Sequence, residues 1–296
     1  MNKPKGKLII IGGSVDRGSF SESIEDLNRS LKFFEKGILK RITTESVHDN
    51  LSRIEIITTA SSIPEDVGGE YIKAFAQLDV NNVGVLNIKT REEANSSFFV
   101  DRLKSADAVV FTGGDQLRLT SIFGGTKFHH VLLDKYENED FVISGTSAGA
   151  AASSNNMIYQ GSSHEALLKG EVKITGGLGF INNVIIDTHF VQRGRIGRLF
   201  YVCASNPINL GIGLGEDTGL LITDGNHMEA IGSGLVILVD GTSMRDTNIT
   251  EVKMGDPVSI ENLHVHVMSL GDYYDLKKKK LTIHHPKVEN EIDTKY

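Results

Sequence analysis

At 296 residues, with 40% apolar and 23% charged side chains, the chain is long enough for one large α/β domain or two small ones. A formal charge of −7 argues against a general nucleic-acid binder, which needs a basic face to neutralise phosphates. A single cysteine, Cys203, excludes an intrachain disulfide and asks for no oxidising compartment.

Only four apolar residues, Leu8–Ile11, follow the basic N-terminal stretch, too few for a secretory core or a membrane span, so the cytoplasm is the expected location. Apolar runs at Leu8–Ile11, Ile54–Thr59, Val83–Ile88, Ala108–Thr112 and Phe141–Ser144 read as strands. None alternates cleanly with polar residues, which suits strands covered on both faces. Amphipathic stretches at 21–40, 65–79, 91–104 and 115–136 lie between them. The rhythm predicts an α/β fold: a doubly wound, mostly parallel central sheet with helices on both faces. From about residue 208 the runs shorten: Ile208–Leu214, Gly219–Thr223, Met228–Ile231, Leu235–Asp240 and Leu263–Ser269. These predict an antiparallel extension of the same sheet with a flanking layer. Lys277–Lys280 reads as a solvated hairpin or loop, and the charged last dozen residues as a fraying end.

In such folds ligands collect at the carboxyl ends of the strands. The residues there are Gly12-Gly13-Ser14, Ala60-Ser61-Ser62, Gly113-Gly114-Asp115-Gln116 and Gly145-Thr146-Ser147. The last set continues as Ala148-Gly149 and then further small residues. A strand that delivers serine to a glycine-flanked turn before a closely packed helix is the pattern of a nucleophile elbow. Ser147 then needs a general base. His189 is the best placed of ten histidines, because it follows the apolar run Val184–Ile186. An orienting carboxylate comes from Glu216, after Gly211–Gly215, or less favourably from the loop-like Glu165. The backbone N–H of Gly114 or Asp115 can pair with that of Ala148 as an oxyanion hole. Arg193, Arg195 and Arg198 have no acidic residue at helical spacing within their own segment, which suggests a carboxylate-bearing substrate.

Other chemistries have little support. Gly124-Gly125-Thr126-Lys127 lacks P-loop spacing, and Ile11-Gly12-Gly13-Ser14 lacks the dinucleotide fingerprint. His264-Val265-His266 has no evident third ligand, so no metal or organic cofactor is expected.

Three segments together carry a family resemblance: Phe111–Leu119, Gly145–Ala150 and Asp187–Leu199. The third, with Arg-Gly-Arg-x-Gly-Arg-Leu after a histidine, is the specific one. The chain resembles the cyanophycinases, serine peptidases related to aspartyl dipeptidase (peptidase E) on the class I glutamine-amidotransferase-like fold. The likeness spans about residues 7–270 of a single peptidase domain, 1–296. It implies hydrolysis of cyanophycin, a poly-aspartate backbone with arginine on its side chains, to β-Asp-Arg dipeptides. Ser147 would be nucleophile, His189 base and Glu216 third member, with Gln116, Asp187, Arg193, Arg195 and Arg198 lining the groove. It also implies a homodimer. Thr188 stands where the family pattern has Gln, and Gly12–Arg17 departs from the usual Gly-Gly-Ala-Glu-Asp-Lys; both bear on polymer recognition more than on hydrolysis. The alternatives are a dipeptidase or isoaspartyl-type peptidase for short Asp-containing peptides, and a non-catalytic peptide binder.

Overall fold

A computed structural model describes residues 3–18, 35 and 37–285. Most of the helix expected over 21–40, and the chain from residue 286 onward, lie outside the described residues. The first half runs β1 (Lys7–Ile11), α1 (Ile38–Glu45), β2 (Ile54–Ile57), α2 (Pro64–Gln77), β3 (Val83–Leu86), α3 (Ser97–Lys104) and β4 (Ala108–Phe111). Then come α4 (Gln116–Phe123), α5 (Lys127–Asn138), β5 (Val142–Thr146) and the single turn α6 (Ala148–Ala151). A hairpin of β6 (Asn156–Gln160) and β7 (Lys173–Gly176) leads to β8 (Val184–Asp187) and α7 (Ile196–Ser205). The remaining strands are β9 (Leu210–Leu214), β10 (Thr218–Thr223), β11 (His227–Gly232), β12 (Val236–Asp240), β13 (Asp246–Thr247), β14 (Ile260–Glu261), β15 (His264–Met268), β16 (Tyr273–Asp275) and β17 (Lys280–Thr282).

Nine strands form the main sheet in the order β17-β16-β11-β10-β1-β5-β4-β2-β3. Strands β1 to β5 pair in parallel, and β10, β11, β16 and β17 extend the sheet antiparallel. Along β1 the side chains of Leu8 and Ile10 enter one core, while those of Ile9 and Ile11 enter another on the opposite face. Both faces are therefore buried, which is why the strand reads as an unbroken β-branched run. Full burial of each such side chain contributes roughly 1.5–3 kcal/mol of transfer free energy.

A second, four-stranded sheet has the order β15-β12-β9-β8. Val184, Ile186, Ile212 and Leu238 join it to the first core, and Ile185 and Val239 face α7 through Leu199, Val202 and Cys203. The antiparallel extension and the flanking layer are thus both present. One expected element divides: the helix over 115–136 is two, α4 and α5. Gly125 has φ +72° at the break, and the Thr126 hydroxyl caps α5 by accepting from the His129 amide at 3.4 Å. Lys277–Lys280 runs through the turn between β16 and β17 into the last strand, and Lys279 pairs with Asp240 at 3.0 Å. Among the described residues no helix is long and apolar enough to cross a membrane.

Candidate active site

The end of β1 is the hub of the site. The Ile11 carbonyl accepts from the Ser147 amide at 2.9 Å, and the Gly12 carbonyl accepts from the His189 amide at 2.9 Å. The Gly13 carbonyl accepts from the Asp217 amide at 2.9 Å, while the Phe190 amide donates to Leu214 at 3.0 Å. The main sheet, carrying Ser147, and the second sheet, carrying His189 and Glu216, are thereby stitched together at their carboxyl edges. Only glycine fits at position 13: φ is +129°, and a Cβ would lie 2.2 Å from the His189 ring.

Ser147 has φ +52° and ψ −105°, a strained conformation for a residue with a Cβ, at the junction of β5 and α6. Its Oγ lies 3.0 Å from His189 Nε2, and His189 Nδ1 lies 2.8 Å from Glu216 Oε1. An ionised carboxylate only accepts, so Nδ1 carries the proton and Nε2 turns its lone pair to the serine hydroxyl. The hydrogen bond from His189 holds the Glu216 carboxyl below the usual carboxylate range. The Ser14 hydroxyl and the charge of Arg193 work in the same direction, against a desolvation penalty. Glu165 is exposed, and its amide belongs to a turn with Ser162 at 3.3 Å. Of the two carboxylates considered, Glu216 is the one against the imidazole.

The two expected oxyanion donors after β4 behave differently. Asp115 donates its N–H to the Ala60 carbonyl at 3.0 Å, and its side chain caps α4 by accepting from Leu117 at 2.8 Å. That amide is occupied, which corrects the expectation for Asp115. The amides of Gly114 and Ala148 have no hydrogen-bond partner among the described residues, and both border the cavity at Ser147. Gly114, at φ +141°, backs so tightly onto Ala60 that a Cβ would lie 2.0 Å from its carbonyl oxygen.

The cavity, of about 290 Å³, is lined by Gln116, Asp187, Thr188, Arg193, Arg195 and Arg198 as well as Ser147 and His189. Gln116 Nε2 donates to the Ile158 carbonyl at 3.0 Å. Thr188 is buried beside the histidine. The arginines need a correction, because two of them do have an acidic partner. Asp187 Oδ1 accepts from Arg195 Nη1 at 3.1 Å and from the Thr188 amide at 3.0 Å. Its Oδ2 is 2.9 Å from Arg198 Nε, close but off the angle of a hydrogen bond. Burial pushes the Asp187 carboxyl upward, opposed by both guanidiniums, and burial likewise draws Arg198 downward. Helical spacing missed the pair because Asp187 ends β8 and reaches the arginines across the turn that carries His189. Arg193 is exposed and makes no ion pair among the described residues.

Asp187 therefore has a structural role, holding Arg195 and Arg198. Asp187→Asn would leave two largely buried guanidiniums without a counter-charge and should cost about 3 kcal/mol of stability, read from urea unfolding midpoints.

Residues 34–230 match Peptidase family S51. The chain belongs to this family. As an S51 member it is a serine-type peptidase. It is 36% identical over 275 residues to a protein of Nostoc sp. named cyanophycinase, covering 93% of this chain and 87% of that one. It is 35% identical over 224 residues to the cyanophycinase of Geminocystis herdmanii, covering 76% and 82%. The fold is shared with the crystal structure of a peptidase from an acI-B1 Actinobacterium at a TM-score of 0.64 and 19% identity, covering 93% of this chain and 98% of that one.

One contact beside Glu216 escaped the sequence reading. Gln192 Oε1 accepts from the Glu216 amide at 3.2 Å and so helps to hold the backbone there, beside the Ser14 hydroxyl that favours the ionised Glu216 carboxyl. Gln192 lies within the specific third segment, three residues after His189, which was its available signal. Among the described residues no three His, Cys, Asp or Glu side chains gather as a metal site.

Proposed function

We propose that this S51 peptidase hydrolyses cyanophycin through a Ser147–His189–Glu216 triad, releasing β-Asp-Arg dipeptides. The observation that carries this reading is the continuous relay from Ser147 Oγ to His189 at 3.0 Å and on to Glu216 at 2.8 Å, opening into a cavity lined by arginines. His189 Nε2 takes the serine proton as Oγ attacks the scissile backbone carbonyl. The oxyanion is held by the N–H groups of Gly114 and Ala148, each such donor supplying roughly 3 kcal/mol to the transition state. His189 returns the proton to the leaving amine, and water, activated by the same imidazole, releases the acyl group. Glu216 stabilises the imidazolium formed at each stage. Arg193, which makes no ion pair among the described residues, is the first choice for a carboxylate of the substrate, and the catalytic unit is taken as one domain over about residues 7–270.

The test is incubation with insoluble cyanophycin, following clearing and the mass of soluble products. Release of β-Asp-Arg supports the assignment. Failure to clear the polymer, with cleavage of short Asp-containing peptides, would move the chain to the dipeptidase reading.

A further inference from the structure

Between β6 and β7 the pairing slips beside the active site. Ile158 faces Ile174 and Gln160 faces Lys173, so the ladder passes over Tyr159, an extra residue in β6. Bulges of this kind re-aim a side chain, and they gather next to active sites. Tyr159 packs on the main core yet also lines the cavity that holds Ser147. The strand is pinned on both sides of it by site residues: Gln116 donates to the Ile158 carbonyl at 3.0 Å, and Arg198 Nη1 to the Gly161 carbonyl at 3.1 Å. Among the described residues the Tyr159 hydroxyl makes no hydrogen bond. Among the described residues no cation covers its ring; the cation–ring contacts there are Arg17 over Tyr71 and Lys135 over Phe141.

The electrostatics of the cavity give this ring a use. Three guanidiniums line the site against the single carboxylate of Asp187, which Arg195 and Arg198 already occupy. A cationic side chain entering the site is repelled by the arginines and finds no free carboxylate in the lining. An aromatic face attracts a cation through its quadrupole without needing a formal charge.

We propose that Tyr159 is a specificity-determining residue whose ring receives a guanidinium side chain of the substrate. This rests on reading the site as a peptidase for an arginine-bearing chain. The excess of protein guanidiniums takes the substrate carboxylate, and the ring takes the substrate cation, so the two ends of an Asp-Arg unit are told apart by different chemistry.

The test compares a synthetic β-Asp-Arg oligomer with its citrulline counterpart, which keeps the shape of the side chain and removes its charge. Tyr159→Phe keeps the ring and should stay within about twofold of wild type on both peptides. Tyr159→Leu should lose about tenfold in kcat/KM on the arginine peptide, mostly through KM, and less than twofold on the citrulline peptide. Tyr159→Met serves the same comparison if the leucine variant unfolds, with thermal midpoints recorded for each. Equal losses on both peptides, or none on the arginine peptide, would overturn the role of Tyr159 while leaving the peptidase reading intact. Absence of turnover of either peptide by the wild-type chain would overturn the substrate reading, and the Tyr159 proposal with it.

Discussion

Ser147→Ala is expected to lower kcat by on the order of 10⁶-fold, to the level set by binding and the oxyanion donors alone. The hydroxyl is the atom that attacks, and of the two other hydroxyls in the cavity lining, Thr188 is buried beside the histidine and Tyr159 sits at the slip in the β6 ladder. Folding should survive, because among the described residues the Ser147 side chain makes one hydrogen bond, to His189. Its loss costs about 1 kcal/mol. Ser147→Gly should be equally inactive yet more stable than Ser147→Ala, by about 1–3 kcal/mol, because glycine relieves the φ of +52°. Progress curves together with urea unfolding of both variants check this. Turnover near the wild-type rate in either variant would remove Ser147 from the mechanism.

Glu216→Gln is expected to lower kcat by about 10²–10³-fold, with little change in KM. The amide keeps a similar shape but loses the charge that stabilises imidazolium, and it can present N–H to Nδ1 and so favour the wrong tautomer. A fully buried carboxylate in this role is worth about 10⁴-fold. Glu216 is 35% exposed at its side chain, and solvent screening reduces its share. The control is Glu165→Gln, expected to stay within about twofold of wild type, since Glu165 is exposed and its backbone makes only turn contacts, with Ser162 and Leu168, among the described residues. A large loss from Glu165→Gln, with none from Glu216→Gln, would reverse the assignment.

Local chemistry made several parts legible. Ser147 stood out because an elbow requires a β-branched strand, small flanking residues and a packed helix in immediate succession. His189 stood out because Val184–Ile186 reads as a buried strand with arginines close behind it, and strand ends are where α/β folds gather polar groups. The break between α4 and α5 was also written locally, at Gly124-Gly125-Thr126, yet the amphipathic pattern on either side masked it. The hairpin of β6 and β7 was missed for a different reason. It is short, mixes buried, half-exposed and exposed positions, and its register slips at Tyr159, so no clean period marks it.

By itself the sequence determined the alternation of buried strands and helices, the elbow at Ser147 and the concentration of arginine after His189, because each depends on neighbours within a few residues. Tertiary structure alone decided which carboxylate meets the imidazole, which amides stay unpaired, and whether an arginine is neutralised. Glu216 reaches His189 because β8 and β9 run side by side and both are stitched to Gly12-Gly13 at the end of β1. The Asp115 amide is lost to Ala60, and Asp187 takes Arg195 and Arg198, through contacts across turns and between strands. A buried backbone N–H or a buried charge is costly without a partner, and which groups are paired and which stay open is settled only when distant strands come into register.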